Sequence, residues 1–338
     1  METPYFKFKP DVLKKNYLEF EELGNKYLKK FVIAYSVKTN GFNEVISLLD
    51  ELGSNFEVAS MEEILQIPGR ARVFNGCSKT EEELKYAIEN KFLINADSIS
   101  EIDKIGRLAN GFSIGLRVSG SKGKFGFELE KLEEVIDYCN SKNLKVVCLQ
   151  FHLGTQQNLR NFEDNVRNAE RIIEKVKDKI DLRYIDIGGG FPDKFKLKNL
   201  GISLEDYFKS LEKYLVKFGV NIILEPGRNL VADAFELITR VNVIKEKFGK
   251  KYAILNVGIN VLSKITLAYY RFEKIKNQDG DKKEEYILAG PLLFNNDLLG
   301  RYFGSLKEGD LIKIENVGAY CNNLAWEISY SKPKVLIE

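Results

Sequence analysis

The chain has 338 residues, 51 Lys and Arg against 49 Asp and Glu, and 44% hydrophobic residues. That apolar share supports a sizeable core and excludes a disordered chain. The net charge of +2, with lysines interspersed among glutamates as in EELGNKYLKK and ERIIEKVKDKID, describes solvated helix faces and argues against a nucleic-acid partner. His152 is the single histidine, which excludes most multi-histidine metal sites, so no metal is expected. Cys77, Cys139, Cys148 and Cys321 form no CxxC pair, so reduced thiols are the default. The opening METPYFKFKPD does not read as a signal peptide and no apolar run approaches a membrane span. A cytoplasmic protein with no membrane partner is therefore expected.

In chain order, PYFKFK reads as a first strand, and then a β-then-α alternation begins. FVIAYSVK precedes NEVISLLDELG, NFEVAS precedes MEEILQI, ARVFNG precedes TEEELKYAIENK, and FLINAD precedes SISEIDKIGRLA. FSIGLRV precedes ELEKLEEVIDYCNSKN, and LKVVCLQFHLG precedes NFEDNVRNAERIIEKVKDK. LRYIDIGGG precedes SLEDYFKSLEKYLVKFG, and VNIILEPGR precedes NLVADA. Continuous apolar strands suit a parallel sheet buried on both faces. Eight such units predict an α/β fold of the (β/α)8, TIM-like kind over residues 10–233. After residue 235, strands such as EEYILAGPLL and GDLIKIENVGAY carry turn signals with little helix between them. Residues 234–338, joined by 1–9, are expected to form a mostly β domain.

Barrel enzymes place their chemistry at the C-terminal ends of strands. Those ends carry Lys38, Glu57, Asn75, Asp97, Arg117, His152, Gly188–Gly190, and Glu225 with Arg228. Singly, Lys38 is an ordinary surface lysine, His152 a hydrogen-bonded core histidine and GGG a turn. Arg117 alone is an ion-pair partner of Glu57 or Asp97. Together they have one chemical sense. Consecutive glycines, and the EPGR loop, let backbone N–H groups approach an anion. A lysine inside a barrel mouth can form a Schiff base. A carboxylate, Glu225, can keep a pyridine nitrogen protonated, and His152 can stack on a ring. Phosphate, aldehyde and pyridinium together describe pyridoxal 5′-phosphate.

The segments AYSVKTN, FEVAS, FHLGTQ, DIGGGFP, EPGR, GPLLFNND and GAY come in the order of a known family over nearly the whole chain. They resemble the fold-type III (alanine-racemase-like barrel) PLP-dependent amino-acid decarboxylases, which act on ornithine, arginine, diaminopimelate and carboxynorspermidine. The resemblance implies that Lys38 carries the cofactor as a Schiff base and His152 stacks on its ring. It implies that Thr155, Gly188, Gly189, Gly190, Gly227, Arg228 and Tyr320 bind the phosphate, with Glu57 and Arg117 close to the cofactor. Glu225 would pair with the pyridine nitrogen and stabilise the quinonoid left by CO₂, which favours decarboxylation over racemisation. Relatives are homodimers with shared active sites, so a homodimer is implied, the β domain of one subunit completing the site of the other.

One motif departs from the family. Where relatives read Gly-Pro-x-Cys-(Asp/Glu)-Ser-x-Asp, this chain has Gly290-Pro291-Leu292-Leu293-Phe294-Asn295-Asn296-Asp297. Leu293 takes the place of a proton-donating cysteine and Phe294 that of an acid that helps hold a distal amine, while Asp297 remains. Lys264 stands roughly where diaminopimelate-specific relatives place an arginine. Cys321, Lys38 and water are the candidate proton donors. A substrate pocket formed across the subunits by Leu293, Phe294, Asp297 and Lys264 is less polar than the family's. It suits a modified or conjugated basic amino acid. Two alternatives stay open: another PLP reaction on the same fold, such as racemisation, and a non-catalytic decarboxylase homologue.

Overall fold

The computed structural model describes residues 2–69, 72–119, 123–152, 154–263, 268–275 and 283–338. The chain divides into two compact units, residues 16–229 and residues 1–15 with 230–338. The first boundary falls inside the helix Pro10–Tyr27, a continuous element that no sequence break marks at residue 10.

After β1 (Tyr5–Phe8), the larger unit contains β2 (Phe31–Ser36), β3 (Asn55–Val58), β4 (Arg72–Phe74) and β5 (Leu93–Ala96). It continues with β6 (Ser113–Ser119), a two-residue β7 (Phe127–Glu128), β8 (Lys145–Phe151), β9 (Tyr184–Asp186) and β10 (Asn221–Leu224). The order is β5-β4-β3-β2-β10-β9-β8-β6, and β5 pairs with β6 to close the ring. Every pairing around this ring is parallel, and helices intervene between the strands, so the unit is the α/β barrel that the alternation predicts. The short β7 adds a rung beside β6 at Val118↔Phe127 and Ser119↔Glu128.

Burial explains why the strands are continuous apolar runs. All of β8 after Lys145 is buried, because one face packs into the barrel and the other against helices. The helix Leu159–Val176 answers with a stripe of Phe162, Val166, Ala169, Ile173 and Val176, spaced by three and four residues. Inside the barrel, Ala34, Val73 and Ile223 from three strands form a buried layer with Val32, Leu93 and Tyr184. Each large aliphatic side chain so placed contributes about 1.5–3 kcal/mol. Helix starts are capped by side chains, with Thr80 and Glu83 forming a reciprocal capping box and Asn158 accepting from the Asn161 N–H.

The smaller unit is mostly β. Its strands are β1, β11 (Phe235–Lys247), β12 (Lys250–Leu255), β13 (Arg271–Ile275), β14 (Glu284–Ala289), β15 (Leu298–Gly304), β16 (Leu311–Glu315) and β17 (Lys334–Ile337). They follow the order β13-β16-β11-β12-β14-β15, with β1 pairing antiparallel to β11 and parallel to β17. Among the described residues no helix is long and apolar enough to cross a membrane.

Asp297 organises the loop before β15. Its buried carboxylate accepts the backbone N–H groups of Ile259 at 2.7 Å and Leu292 at 2.8 Å. Gly258 and Gly290 flank it so closely that a Cβ on either would come within 2.7 Å of a carboxylate oxygen. Asp297→Ala strands two N–H groups, each worth about 1–3 kcal/mol when left without an acceptor. Urea unfolding is expected to show a loss of about 2–4 kcal/mol, and an unchanged midpoint contradicts this role.

Candidate active site

The C-terminal strand ends bring the chemistry together. Lys38 lies in the short 3₁₀ turn Val37–Thr39 that follows β2. The register between β2 and β3 pairs Ser36 with Glu57, so the turn delivers Lys38 above the Glu57 carboxylate. Lys38 Nζ donates to Glu57 Oε2, and Ser36 Oγ donates to the same oxygen at 2.6 Å. The Glu57 side chain is 1% exposed and that of Lys38 is 43% exposed, so the acid is sealed and the amine is open. Burial pushes the Glu57 carboxyl up, but Lys38 and Ser36 outweigh it and leave it below the usual carboxylate range.

His152 follows β8 and opens to solvent at the mouth. Removal of its ring from bulk water on the protein side, with Lys38 and Arg117 nearby, holds its pKa down to about 4. The imidazole is therefore uncharged at neutral pH. Gly188, at φ 66°, sits between it and Glu225. A Cβ there would lie 3.2 Å from His152 Nδ1 and 3.4 Å from Glu225 Oε2. The glycine keeps clear the space between a flat neutral ring and a carboxyl group.

Gly189 and Gly227 are packed as closely, their Cβ positions lying 2.8 Å from the Glu225 carbonyl and 2.1 Å from Thr39 Oγ1. Gln157 N–H donates to the Gly190 carbonyl at 3.1 Å, which brings the Thr155 loop to the glycine run. Arg228, buried, opens the short helix Arg228–Val231. Arg117 pairs with Asp97 at 3.4 Å and stacks its guanidinium over Phe125 at 4.3 Å, so of its two possible acid partners Asp97 is the one it meets. A cavity of about 440 Å³ beside His152 is lined by Arg117, Phe125, Phe151, Asn165 and Asn168 among others. A second, of about 510 Å³, is lined by Val32, Val73, Leu93 and Ile223 of the lower barrel layer, away from the strand ends that carry the chemistry.

Three polar residues that the sequence did not single out belong to this site: Ser36, Asn95 and Asp186. Asn95 and Asp186 are polar residues inside apolar strands, and both are completely buried beneath Lys38 with Asn75 and Glu225. A lone polar residue within an apolar run was the signal the sequence offered for them. Glu225 is pushed well above the usual carboxylate range by burial and by the neighbouring Asp186 and Glu57 carboxyls.

In the smaller unit, Asp297, expected at the substrate, gives its carboxylate to two backbone N–H groups instead, because the loop needs a buried acceptor there. Cys321, a candidate proton donor, is fully buried with its Sγ 3.2 Å from Tyr270 Oη. Tyr320 beside it has φ 62°. Leu293 is 100% exposed and Phe294 43% exposed. Lys264 lies outside the described residues.

The donor set suits pyridoxal phosphate: an accessible amine, a glycine-cleared slot between a neutral imidazole and a buried acid, and glycines with free backbone approach. Comparisons agree. Residues 19–232 match the family described as pyridoxal-dependent decarboxylase, pyridoxal binding domain. The chain is 29% identical to a diaminopimelate decarboxylase of Helicobacter pylori, covering 99% of this chain and 89% of that one. The crystal structure of a Helicobacter pylori diaminopimelate decarboxylase complexed with L-lysine superposes with a TM-score of 0.89 at 27% identity, covering 100% and 91% of the two chains. That of the M. jannaschii enzyme in co-complex with L-lysine gives a TM-score of 0.89 at 25% identity, covering 99% and 87%. With the lysine, the imidazole, the glycine run and the buried acid all at the strand ends of such a barrel, the chain belongs to the pyridoxal-dependent decarboxylases.

Proposed function

We propose that the protein removes the α-carboxyl group of a basic amino acid whose distal end is modified or conjugated. The observation that carries the chemistry is the mouth itself, with Lys38 on Glu57 beside a neutral His152 and above a buried Glu225. Pyridoxal phosphate, when bound, supplies the sink for the electron pair left as CO₂ departs. Lys38 would hold its aldehyde through the amine. Backbone N–H groups of Gly189, Gly190, Gly227 and Arg228, with Thr155, would hold its phosphate, while the Gly188 N–H is taken by Asp186. Uncharged His152 would cover one ring face and keep water from it without adding a competing cation. Glu225 would stand opposite the ring nitrogen.

Glu57 orients Lys38 and balances its charge, so the amine returns to one position each time it is released. Leu293 has no proton to give, and Cys321 is enclosed with Tyr270. Of the candidate side chains, that leaves Lys38, whose amine is open at the mouth, to give the α-carbon its proton, with water as the other donor. For the substrate, the relatives and their lysine complexes support a long basic amino acid. Leu293 and Phe294, apolar and exposed where relatives carry a thiol and an acid, support a distal end without a free charge to pair. Unmodified diaminopimelate is the second reading, favoured by the named activity of the relatives. A cytoplasmic homodimer with shared sites is part of the same proposal. The Phe294 ring centroid lies 6.2 Å from that of the partly exposed Trp326, and a fully exposed Leu293 precedes Phe294 in sequence. Such an apolar surface suits a protein interface.

Lys38→Ala is expected to remove the visible absorbance of bound cofactor while circular dichroism stays unchanged. Cofactor found attached to another lysine by mass spectrometry after borohydride reduction contradicts the assignment. CO₂ release should be measured with lysine, ornithine, both diaminopimelate isomers and N-acylated or N-carboxyalkylated forms of these. Turnover of a modified member at tenfold or more over the free amino acids is expected. Preference for diaminopimelate establishes the second reading. Light scattering is expected to give twice the chain mass for the wild type, with Leu293→Asp shifted toward the monomer. A wild-type monomer with full activity rules out shared sites.

A further inference from the structure

Beneath the Lys38–Glu57 pair, four buried polar side chains form a closed ring. Asn75 follows β4, Asn95 stands in β5, Asp186 ends β9 and Glu225 follows β10. In the strand order, β4 and β5 stand across the barrel from β9 and β10, so the ring spans the floor of the site. Asn75 Nδ2 donates to Glu225 Oε1 at 2.5 Å. Asn95 Nδ2 donates to Asn75 Oδ1 at 2.7 Å and to Asp186 Oδ2 at 3.0 Å. The Asp186 and Glu225 carboxyls meet within hydrogen-bonding reach and close the ring.

The ring is clamped from outside. The Gly188 N–H donates to Asp186 Oδ1 at 2.9 Å. Lys79, buried, donates to the backbone carbonyls of Gly76 and Asn95 and pairs with Glu101 at 3.0 Å. On β6, a Cβ at Gly115 would lie 1.8 Å from Asn95 Oδ1, so only glycine leaves the carboxamide its place.

Two carboxyl groups can hydrogen-bond to each other only with a proton between them. Burial keeps that proton in place: it lifts Asp186 to about 7 and Glu225 well beyond the ordinary range. The other groups facing the pair do not replace it. Glu57 is committed to Lys38, and burial, with the two acids nearby, pushes the Cys148 thiol up so that it stays protonated. A conflict follows. A partner for a protonated ring nitrogen must be ionised, yet Glu225 is the acid that holds the proton more tightly when the site is empty.

We propose that Asp186 resolves this conflict by taking the shared proton from Glu225 when Glu225 pairs with the protonated nitrogen of the cofactor ring. The O–H bond on Glu225 breaks and one on Asp186 forms across the same hydrogen bond. The pair keeps one proton and one negative charge throughout, and with the ring-nitrogen charge the loaded floor is neutral. No proton enters from solvent, and loading pairs the one buried charge instead of adding another. Asp186 is a positioning residue, because it acts on the ring only through Glu225, with Asn75 and Asn95 holding both acids in register. This inference rests on the reading of Glu225 as the ring-nitrogen partner.

Infrared difference spectroscopy of the carboxyl C=O stretch tests it, on protein without cofactor and on protein loaded with pyridoxal phosphate. The wild type is expected to show a protonated buried carboxyl in both states, with the band shifted in frequency on loading. Asp186→Asn leaves Glu225 alone to carry the proton, so it is expected to lose the band on loading and still take up pyridoxal phosphate, because an amide N–H stands in for the donated hydrogen. A wild-type band that vanishes on loading overturns the proposal, since the pair then loses its proton instead of passing it. A band that survives loading in Asp186→Asn also overturns it, since the proton then sits elsewhere. Should that variant fail to fold, the two wild-type states decide alone. Wild-type protein that takes up no pyridoxal phosphate, read by visible absorbance, overturns the cofactor site and the proposal together. Uptake with the band lost overturns the proposal only.

Discussion

Three carboxyl groups, Glu57, Asp186 and Glu225, are buried at one end of a barrel, and the site is arranged around their charge. An unpaired buried carboxylate costs several kcal/mol even after the protein relaxes. Each of the three escapes that cost differently. Glu57 is ionised and answered by Lys38 and Ser36. Asp186 and Glu225 divide one proton and take amide hydrogens from Asn75 and Asn95. The arrangement also fixes the neighbours: Lys38 is aimed by its acid, and His152, facing Lys38 and Arg117, remains neutral.

The barrel makes this possible because parallel strands end together. Residues far apart in sequence, such as Asn75 and Glu225, reach one floor from opposite walls. Close approach then demands glycine. Gly115 leaves room for the Asn95 carboxamide, and Gly188 leaves room between imidazole and acid. A methyl group at either position would fill space that the chemistry uses. Asp297 in the smaller unit shows the same residue type in another role, since its carboxylate is spent on backbone N–H groups and holds a loop.

The eight barrel strands were legible in the sequence because strands buried on both faces are continuous apolar runs bounded by amphipathic helices. Lys38, Glu57, His152 and Glu225 were legible because a polar residue directly after such a run stands at the strand end. Asn95 and Asp186 were not. Each is one polar residue within an apolar strand, and its meaning depends on a partner across the barrel that no local pattern reveals. Asp297 was located by its motif, but its role was not, since its partners Ile259 and Leu292 are set by how a distant loop folds back. The short β7 rung escaped notice because two residues carry no periodicity.

The same electrostatics bear on whether the site is used. A homologue kept only for its shape would be more stable with apolar residues in place of the buried acids, since replacing buried ionic groups by packed hydrophobic ones is often neutral or stabilising by about 1–4 kcal/mol. Here the costly groups are present together with the amides, the glycines and the clamping Lys79 that hold them in register. An anionic floor that still holds a proton is of little use to a shape, and would suit a bound ring that carries a charged nitrogen. The departure at Leu293 and Phe294 leaves that floor untouched. The chain thus keeps the buried acids, amides and glycines of the barrel together, whatever stands at Leu293 and Phe294.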